Sequence, residues 1–243
     1  MDFINSEELD FRIQIARKGE SFERAVSVRS EAFSRHSHPM VRAGFTVEPA
    51  DTSESSVLLC AESKTTGEPI GAMRLSDNRT DELGIWNELP IPAEHEGYPA
   101  LLVSRLTVHA GRTGHAARNA LCKAMYLYAV AMQMRFIYVL VLPPRDRLYR
   151  PMGFNPVYEG DPVFKLKSNS NVDTKVLFAE VNRFETIWRE RGHPLYQYVF
   201  QTRHADIELF SAVTGPKRRR RLSDPILDRL PENSLANFTL PVV

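Results

Sequence analysis

A mixed α/β (α+β) fold, one central β-sheet flanked by helices around a central βαβ unit, is predicted by two stretches of the chain. The first spans residues 101–142. A strand-like run at 101–108 leads into the turn Ala110-Gly111-Arg112-Thr113-Gly114, then a segment at 115–134 that is apolar on nearly every face, then a β-branched and aromatic run at 136–142. A helix apolar all round, set between two apolar strands, reads as the crossover of a parallel strand pair. The second is a hairpin: residues 57–61 and 69–75 are apolar runs joined by the polar loop Lys64-Thr65-Thr66-Gly67-Glu68.

The remaining elements follow in order. Phe11-Arg12-Ile13-Gln14-Ile15 alternates apolar with polar, which predicts a strand. Residues 21–34 place Phe22, Ala25, Val26, Val28, Ala32 and Phe33 at helical spacing. Downstream, Leu177, Val181, Phe184 and Trp188 repeat at helical spacing behind Asp173 as an N-cap, and residues 195–200 read as a last strand. Gly215-Pro216, the run Lys217-Arg218-Arg219-Arg220-Arg221 and a Pro/Asp/Asn/Ser-rich segment predict one domain over residues 1–213, followed by a basic, flexible tail at 214–243.

Composition narrows the function. The 243 residues carry 31 basic and 30 acidic side chains, with 43% hydrophobic, an ordinary globular balance. The longest apolar runs, 124–132 and 136–142, fall short of the roughly 20 residues that cross a bilayer, so no integral membrane contact is expected. The N-terminus is acidic and polar rather than leader-like, which predicts a cytoplasmic protein. Cys60 and Cys122 sit in apolar surroundings, and His36 and His38 lack further ligands at metal spacing, so no metal is expected. No aromatic residues interleave the basic run, so nucleic acid is not an expected partner.

The chemistry concentrates in the βαβ unit. Gly111-Arg112-Thr113-Gly114-His115-Ala116 places small residues between a strand end and a helix start, where free N–H groups can hold an anion, although a plain tight turn has the same string. After the second strand, Tyr149-Arg150-Pro151-Met152-Gly153-Phe154 sets a tyrosine four residues before Gly-Phe; a core tyrosine is the other reading.

Taken together, these features resemble the GCN5-related N-acyltransferase (GNAT) superfamily over about residues 11–165. A narrower resemblance is to long-chain N-acyl amino acid synthases and the related acyl-homoserine-lactone synthases. Arg29 and Phe33 match the R-x-x-x-F of their first helix, Asp51 their acidic segment, Arg74 the end of the Gly71-Ala72-Met73-Arg74-Leu75 strand, and Ser104-Arg105-Leu106 their S-R-hydrophobic signature. Leu102 stands where the lactone synthases carry Glu, so S-adenosylmethionine is not the expected acceptor.

The resemblance implies an N-acyltransferase that moves a fatty acyl group from acyl carrier protein to the amine of an amino acid or similar small amine, with no cofactor bound and acyl-CoA as a possible donor. An acetyl-CoA-dependent acetyltransferase and a non-catalytic acyl-binding module stay open beside it. It further implies catalytic roles for Tyr149, Ser104 and Arg105, and donor binding by Leu106, Val108, Gly111, Arg112, Gly114 and Ala116. For Arg29, Phe33, Asp51 and Arg74 it implies a substrate role or a structural ion network. A phenol of pKa about 10 can protonate a departing thiolate of pKa about 8.5. The proton acceptor for the amine is open among water, Ser104, His109, Glu82 and Glu88. Met125, Met132, Met134, Tyr126, Tyr128, Phe136 and Tyr138 are candidates for an acyl-chain wall. Arg112, Arg118, Arg145, Arg147 and Arg150 are candidates for docking an acidic carrier.

Overall fold

The computed structural model describes residues 5–16, 19–34, 47–167 and 171–210, with side chains of the first helix described as far as Arg29. The tail at 214–243, its basic run, the proposed boundary at 213, and His36 and His38 lie outside the described residues. In chain order the elements are β1 (Asn5–Ser6), β2 (Phe11–Ala16), α1 (Glu20–Ser34), β3 (Ser56–Ser63), β4 (Pro69–Asp77), β5 (Ala100–Val108), α2 (Arg112–Ala131) and β6 (Phe136–Val141). They continue with β7 (Asn155–Pro156), β8 (Phe164–Lys165), β9 (Asp173–Glu180), α3 (Val181–Glu190), β10 (Thr202–Arg203) and β11 (Ile207–Glu208).

One mixed sheet runs β11-β2-β3-β4-β5-β6-β9-β7, with β8 also on β9. β2 through β5 pair antiparallel, and β5 pairs parallel with β6, with α2 as the crossover. Strand alternation then divides the side chains. Met73, Leu75, Leu101, Val103, Ile137, Val139 and Leu177 point to the face covered by α2 and α3, where the largest core lies. On the other face, Ala25 and Val26 of α1 pack with Ala16, Leu58, Cys60 and Ala72. Beside them, Leu83 and Ile85 cover Leu102, Phe136, Tyr138 and Val176.

This two-sided sheet corrects the proposed acyl wall. Met125, Tyr126, Tyr128, Met132 and Met134 belong to the α2 core, whereas Phe136 and Tyr138 face the opposite side, so the seven do not line one channel. The period of two in β6 makes the separation unavoidable.

Three predicted elements differ in detail. The helix expected at 115–134 starts at Arg112, which moves Gly114 into its first turn. Residues 173–180 form β9 rather than the start of a helix; six of them pair with β6, and α3 begins at Val181 with Glu180 at its cap position. Leu177 read as helical because Val181, Phe184 and Trp188 enter the same core from the following helix. Residues 195–200 are not a strand: Val199 N–H donates to Leu195 at 2.9 Å, and Gln197–Gln201 is one wide helical turn. This turn seats Phe200 against Trp188 and Tyr126.

Lys123 of α2 holds that C-terminal segment in place. Its buried ammonium donates to the carbonyls of Tyr198 and Thr202 and lies 2.9 Å from His204 Nδ1. Burial pulls its pKa down to about 8.

Candidate active site

β5 leaves its neighbour halfway along. It pairs with β6 only from Ala100 to Val103, while β6 continues to Val141 alongside β9. From Ser104 to Val108, β5 has β4 on one edge and, among the described residues, no strand on the other. A bulge sits at the branch point, where the β4–β5 register shifts between Ala72 and Arg74, and Arg105 adopts φ 54°. A non-glycine residue in the left-handed region is costly and concentrates at functional sites.

The bulge decides which backbone groups face the opening. His109 N–H donates to Ile70 O of β4 at 2.9 Å. Alternation back along the strand directs Thr107 the same way, and turns the N–H groups of Leu106 and Val108 toward the gap left by β6. Two aligned donors in such a gap can hold a carbonyl oxygen as it gains charge.

The start of α2 closes the far end. Gly111, with φ 90° and ψ −169°, takes a backbone conformation reserved for glycine, and the first intrahelical bond is His115 N–H to Gly111 O at 3.1 Å. The N–H groups of Arg112, Thr113 and Gly114 precede that bond and are the orphan donors of the helix end. No acidic side chain occupies the first turn to compete for them. Gly114 is needed for another reason: a Cβ there would lie 1.8 Å from the His109 carbonyl oxygen. Arg112 and Ala116 are exposed on the same turn.

Tyr149 stands on the α2 face, edge-on to Phe154 at 5.6 Å and half-buried against the main core. Burial, then the neighbouring Cys122, raise the phenol pKa against the pull of Arg145 and Arg118, so it is protonated at neutral pH. The thiols are pushed the same way, Cys60 to about 12 and Cys122 to about 11, chiefly by burial. Neither is a poised nucleophile.

The opposite face carries the ion network. On α1, Phe22, Ala25, Val26 and Arg29 form one i, i+3, i+4, i+7 stripe, so the helix turns Arg29 toward the sheet, where it is 1% exposed. Its guanidinium grips both oxygens of Asp51, at 2.9 and 2.8 Å. Arg74 Nη1 reaches Asp51 at 3.0 Å and Glu48 at 2.7 Å, while its Nε donates to Ser104 Oγ at 3.0 Å. Arg105 Nε donates to Glu48 at 2.9 Å. The structure thus brings Arg29, Asp51, Arg74, Ser104 and Arg105 together; the Phe33 side chain lies outside the described residues.

Glu48 is the member that sequence reading missed. The available signal was its place three residues before Asp51 across Pro49, in a turn where Glu48 N–H donates to Asp51 at 2.8 Å. Burial alone would raise both carboxyls. The arginines, Arg105 first for Glu48 and Arg29 first for Asp51, bring them below their ordinary values.

Other candidates separate. Ser104 Oγ accepts from Arg74, Glu88 accepts from Lys167 N–H at 2.6 Å, and Glu82 is exposed. His109 is half-buried at the approach to α2. Arg112, Arg118, Arg145 and Arg147 are exposed, with Leu148 67% exposed beside the last two. Arg150 leaves the docking set, because it pairs with Asp161 at 2.7 Å in a cluster with Lys175 and Asp146. Among the described residues, no group of three His, Cys, Asp or Glu side chains could hold a metal, and no helix is long and apolar enough to cross a membrane.

Solved structures share this architecture. FeeM, an N-acyl amino acid synthase from uncultured soil microbes, superposes with a TM-score of 0.55 at 14% identity, over 72% of this chain and 93% of that one. BjaI, a CoA-dependent acyl-homoserine lactone synthase, gives 0.54 at 16%, over 80% and 93%. MesI, another CoA-dependent acyl-homoserine lactone synthase, gives 0.50 at 16%, over 74% and 95%. No protein-family model and no curated protein sequence matches the chain. The fold is that of the GNAT superfamily.

Proposed function

We propose that the chain is an N-acyltransferase that moves a fatty acyl group from acyl carrier protein to the amine of an amino acid or similar small amine. One observation carries this reading: β5 parts from β6 after Val103 and runs to the N-terminus of α2, the helix whose Arg118 and Cys122 neighbour the phenol of Tyr149. Such an opening suits an extended pantetheine arm, with its phosphate at the helix end and its carbonyl on the Leu106 and Val108 N–H groups. The amine attacks the thioester carbonyl carbon from the Arg105 face. The C–N bond forms, the C–S bond breaks, Tyr149 Oη gives its proton to the departing sulfur, and the ammonium proton leaves to water. No acyl-enzyme is needed, in keeping with the buried thiols. FeeM is named for amino acid acylation, and BjaI and MesI for CoA thioesters, so acyl-CoA is the second donor to test.

The direct test supplies acyl carrier protein charged at several chain lengths, the matching acyl-CoA donors, and a mixture of amino acids, read by mass spectrometry. N-acyl amino acids are expected, and their absence across the panel would remove the proposal. Tyr149→Phe should lower kcat about 100-fold with little change in donor KM, the range for losing a positioned proton donor. An unchanged kcat would return Tyr149 to the core.

The carrier is favoured as donor by the exposed charges of Arg145 and Arg147, which have no ion-pair partner among the described residues and lie beside Leu148; together they suit an acidic partner with an apolar spot. Arg147→Glu should cut kcat/KM for the carrier-bound donor about tenfold at low salt, with the deficit shrinking as salt rises. An N-acetylcysteamine thioester should be used almost as before. Equal losses with both donors would count against docking at this surface.

A further inference from the structure

We infer that Lys175 of β9 is a positioning residue for Tyr149, and that its bridge to Asp146 and Asp161 fixes the phenol where the thioester sulfur departs. This rests on the acyl-transfer reading and adds to it what holds the proton donor. The first support is the way Tyr149 is mounted. β6 ends at Val141, and in the turn that follows, residues 143–148 are exposed except Asp146, which is 7% exposed. Lys175 pairs with Val141, so its side chain leaves the sheet where β6 gives way to the turn. Two residues before Leu177, it points to the α2 face, on which Tyr149 packs. Its ammonium lies 3.1 Å from Asp146 and 2.7 Å from Asp161. A turn with so little buried surface opens readily unless something ties it down, and Asp146 is the tie.

The second support is that the bridge reaches Tyr149 from both sides. Upstream, Tyr149 N–H donates to Asp146 O at 3.0 Å, so holding Asp146 holds the Tyr149 backbone. Downstream, Asp161 also accepts from Arg150 Nη2 at 2.7 Å, and Arg150 is the next residue after Tyr149. The chain beyond is held by other means. Arg191, just past α3, donates to Arg150 O at 2.7 Å, and Trp188 Nε1 donates to Met152 O at 2.8 Å. Those bonds fix the segment after Tyr149, while before it the tie is Lys175.

The third support is charge. Hydrogen bonds to Asp161 and then Asp146 raise the Lys175 pKa, so the bridge is ionised at neutral pH. Arg150 lies 3.9 Å from Asp146, and among these four side chains the charges balance. A partly exposed ion cluster of this kind contributes little net stability, so its loss should show in geometry before it shows in folding. Catalysis is sensitive to geometry, since a displacement of about 1 Å can cost about 100-fold in rate.

The test is a double-mutant cycle in the full chain, with kcat read by mass spectrometry. An N-acetylcysteamine thioester serves as donor, so that carrier docking plays no part. Lys175→Met should lower kcat about tenfold, with donor KM within about twofold and Tm within about 4 °C of the parent. Lys175→Arg, which can still bridge two carboxylates, should restore most of the rate. On a Tyr149→Phe background, Lys175→Met should cost nothing further. Should Lys175→Met fail to fold, Asp161→Asn cuts the bridge at its more exposed end and carries the same expectations. A tenfold loss on both backgrounds, or no loss in the parent, would overturn the proposal. A Tyr149→Phe variant as fast as the parent would also overturn it while leaving acyl transfer intact. Amide hydrogen exchange across residues 145–154 tests the tether without turnover. It should rise about tenfold in Lys175→Met, and unchanged exchange would overturn the proposal whatever the chain acylates. No product with any acceptor would remove the acyl-transfer reading, and the role of Lys175 with it.

Discussion

Arg29→Met is expected to destabilise the protein by about 3–5 kcal/mol, the scale for removing one partner of a buried ion pair. Methionine fills much of the same volume, so the loss reports charge more than space. Asp51 would keep Arg74 and the Glu48 N–H, but both oxygens would lose their bidentate partner. Urea unfolding measures the difference, and a change below about 1 kcal/mol would mean that the pair contributes little net stability.

The same network sets a pH dependence. In the folded state Glu48 and Asp51 have carboxyl pKa values below their ordinary ones, so the unfolded chain binds more protons as pH falls. Their contribution is therefore complete above the ordinary carboxyl range, and it is lost as pH drops through that range toward the folded values. Stability should be flat near neutrality on this account and decline below about pH 5. In Arg29→Met the decline should be shallower, because burial then raises the Asp51 carboxyl with less to oppose it. An equally steep acid limb in both proteins would place the responsible carboxylates elsewhere.

Gly114→Ala is the second large effect. The added methyl would meet the His109 carbonyl oxygen at 1.8 Å, and the obstacle is backbone rather than a movable side chain. Either α2 or the end of β5 has to shift, at about 3 kcal/mol, the upper part of the usual range for overpacking. That shift would carry the helix N-terminus away from the proposed donor site, so donor KM should rise along with the loss in Tm. Gly111→Ala makes a useful contrast: open space surrounds its Cβ, and the cost comes only from the φ of 90°, about 1–2 kcal/mol. If Gly111→Ala proved the more harmful, the close approach of α2 to β5 would not be the controlling feature.

The order of elements from β2 to β6 was legible in the sequence, because a period of two or 3.6 is a local property that each segment carries by itself. Phe11, Ile13 and Ile15 read as a strand, and the apolar spacing from Phe22 to Phe33 as a helix, without knowledge of any neighbour. The string at 111–116 marked a turn between a strand and a helix, and the structure has that turn between β5 and α2. Local pattern failed where two elements feed one core: Leu177 and Val181 keep helical spacing across a strand-to-helix junction, and only the ladder to β6 tells them apart.

The site itself was decided by tertiary structure. Nothing in residues 104–108 says that β6 will part from β5 after Val103, since pairing depends on the partner strand as well. The bulge that turns Arg105 to φ 54° is a mismatch of register between two strands, visible only when both are in place. Glu48 acquired its role because folding brings it within 2.9 Å of an arginine 57 residues away, and Arg150 lost its expected one to Asp161. Phe136 and Tyr138 were separated from Met125, Met132 and Met134 of the α2-side core by the thickness of the sheet. The residue types were thus set by the sequence, while the pairing of charges, the free backbone donors and the two faces of the site were set by contacts between segments far apart along the chain.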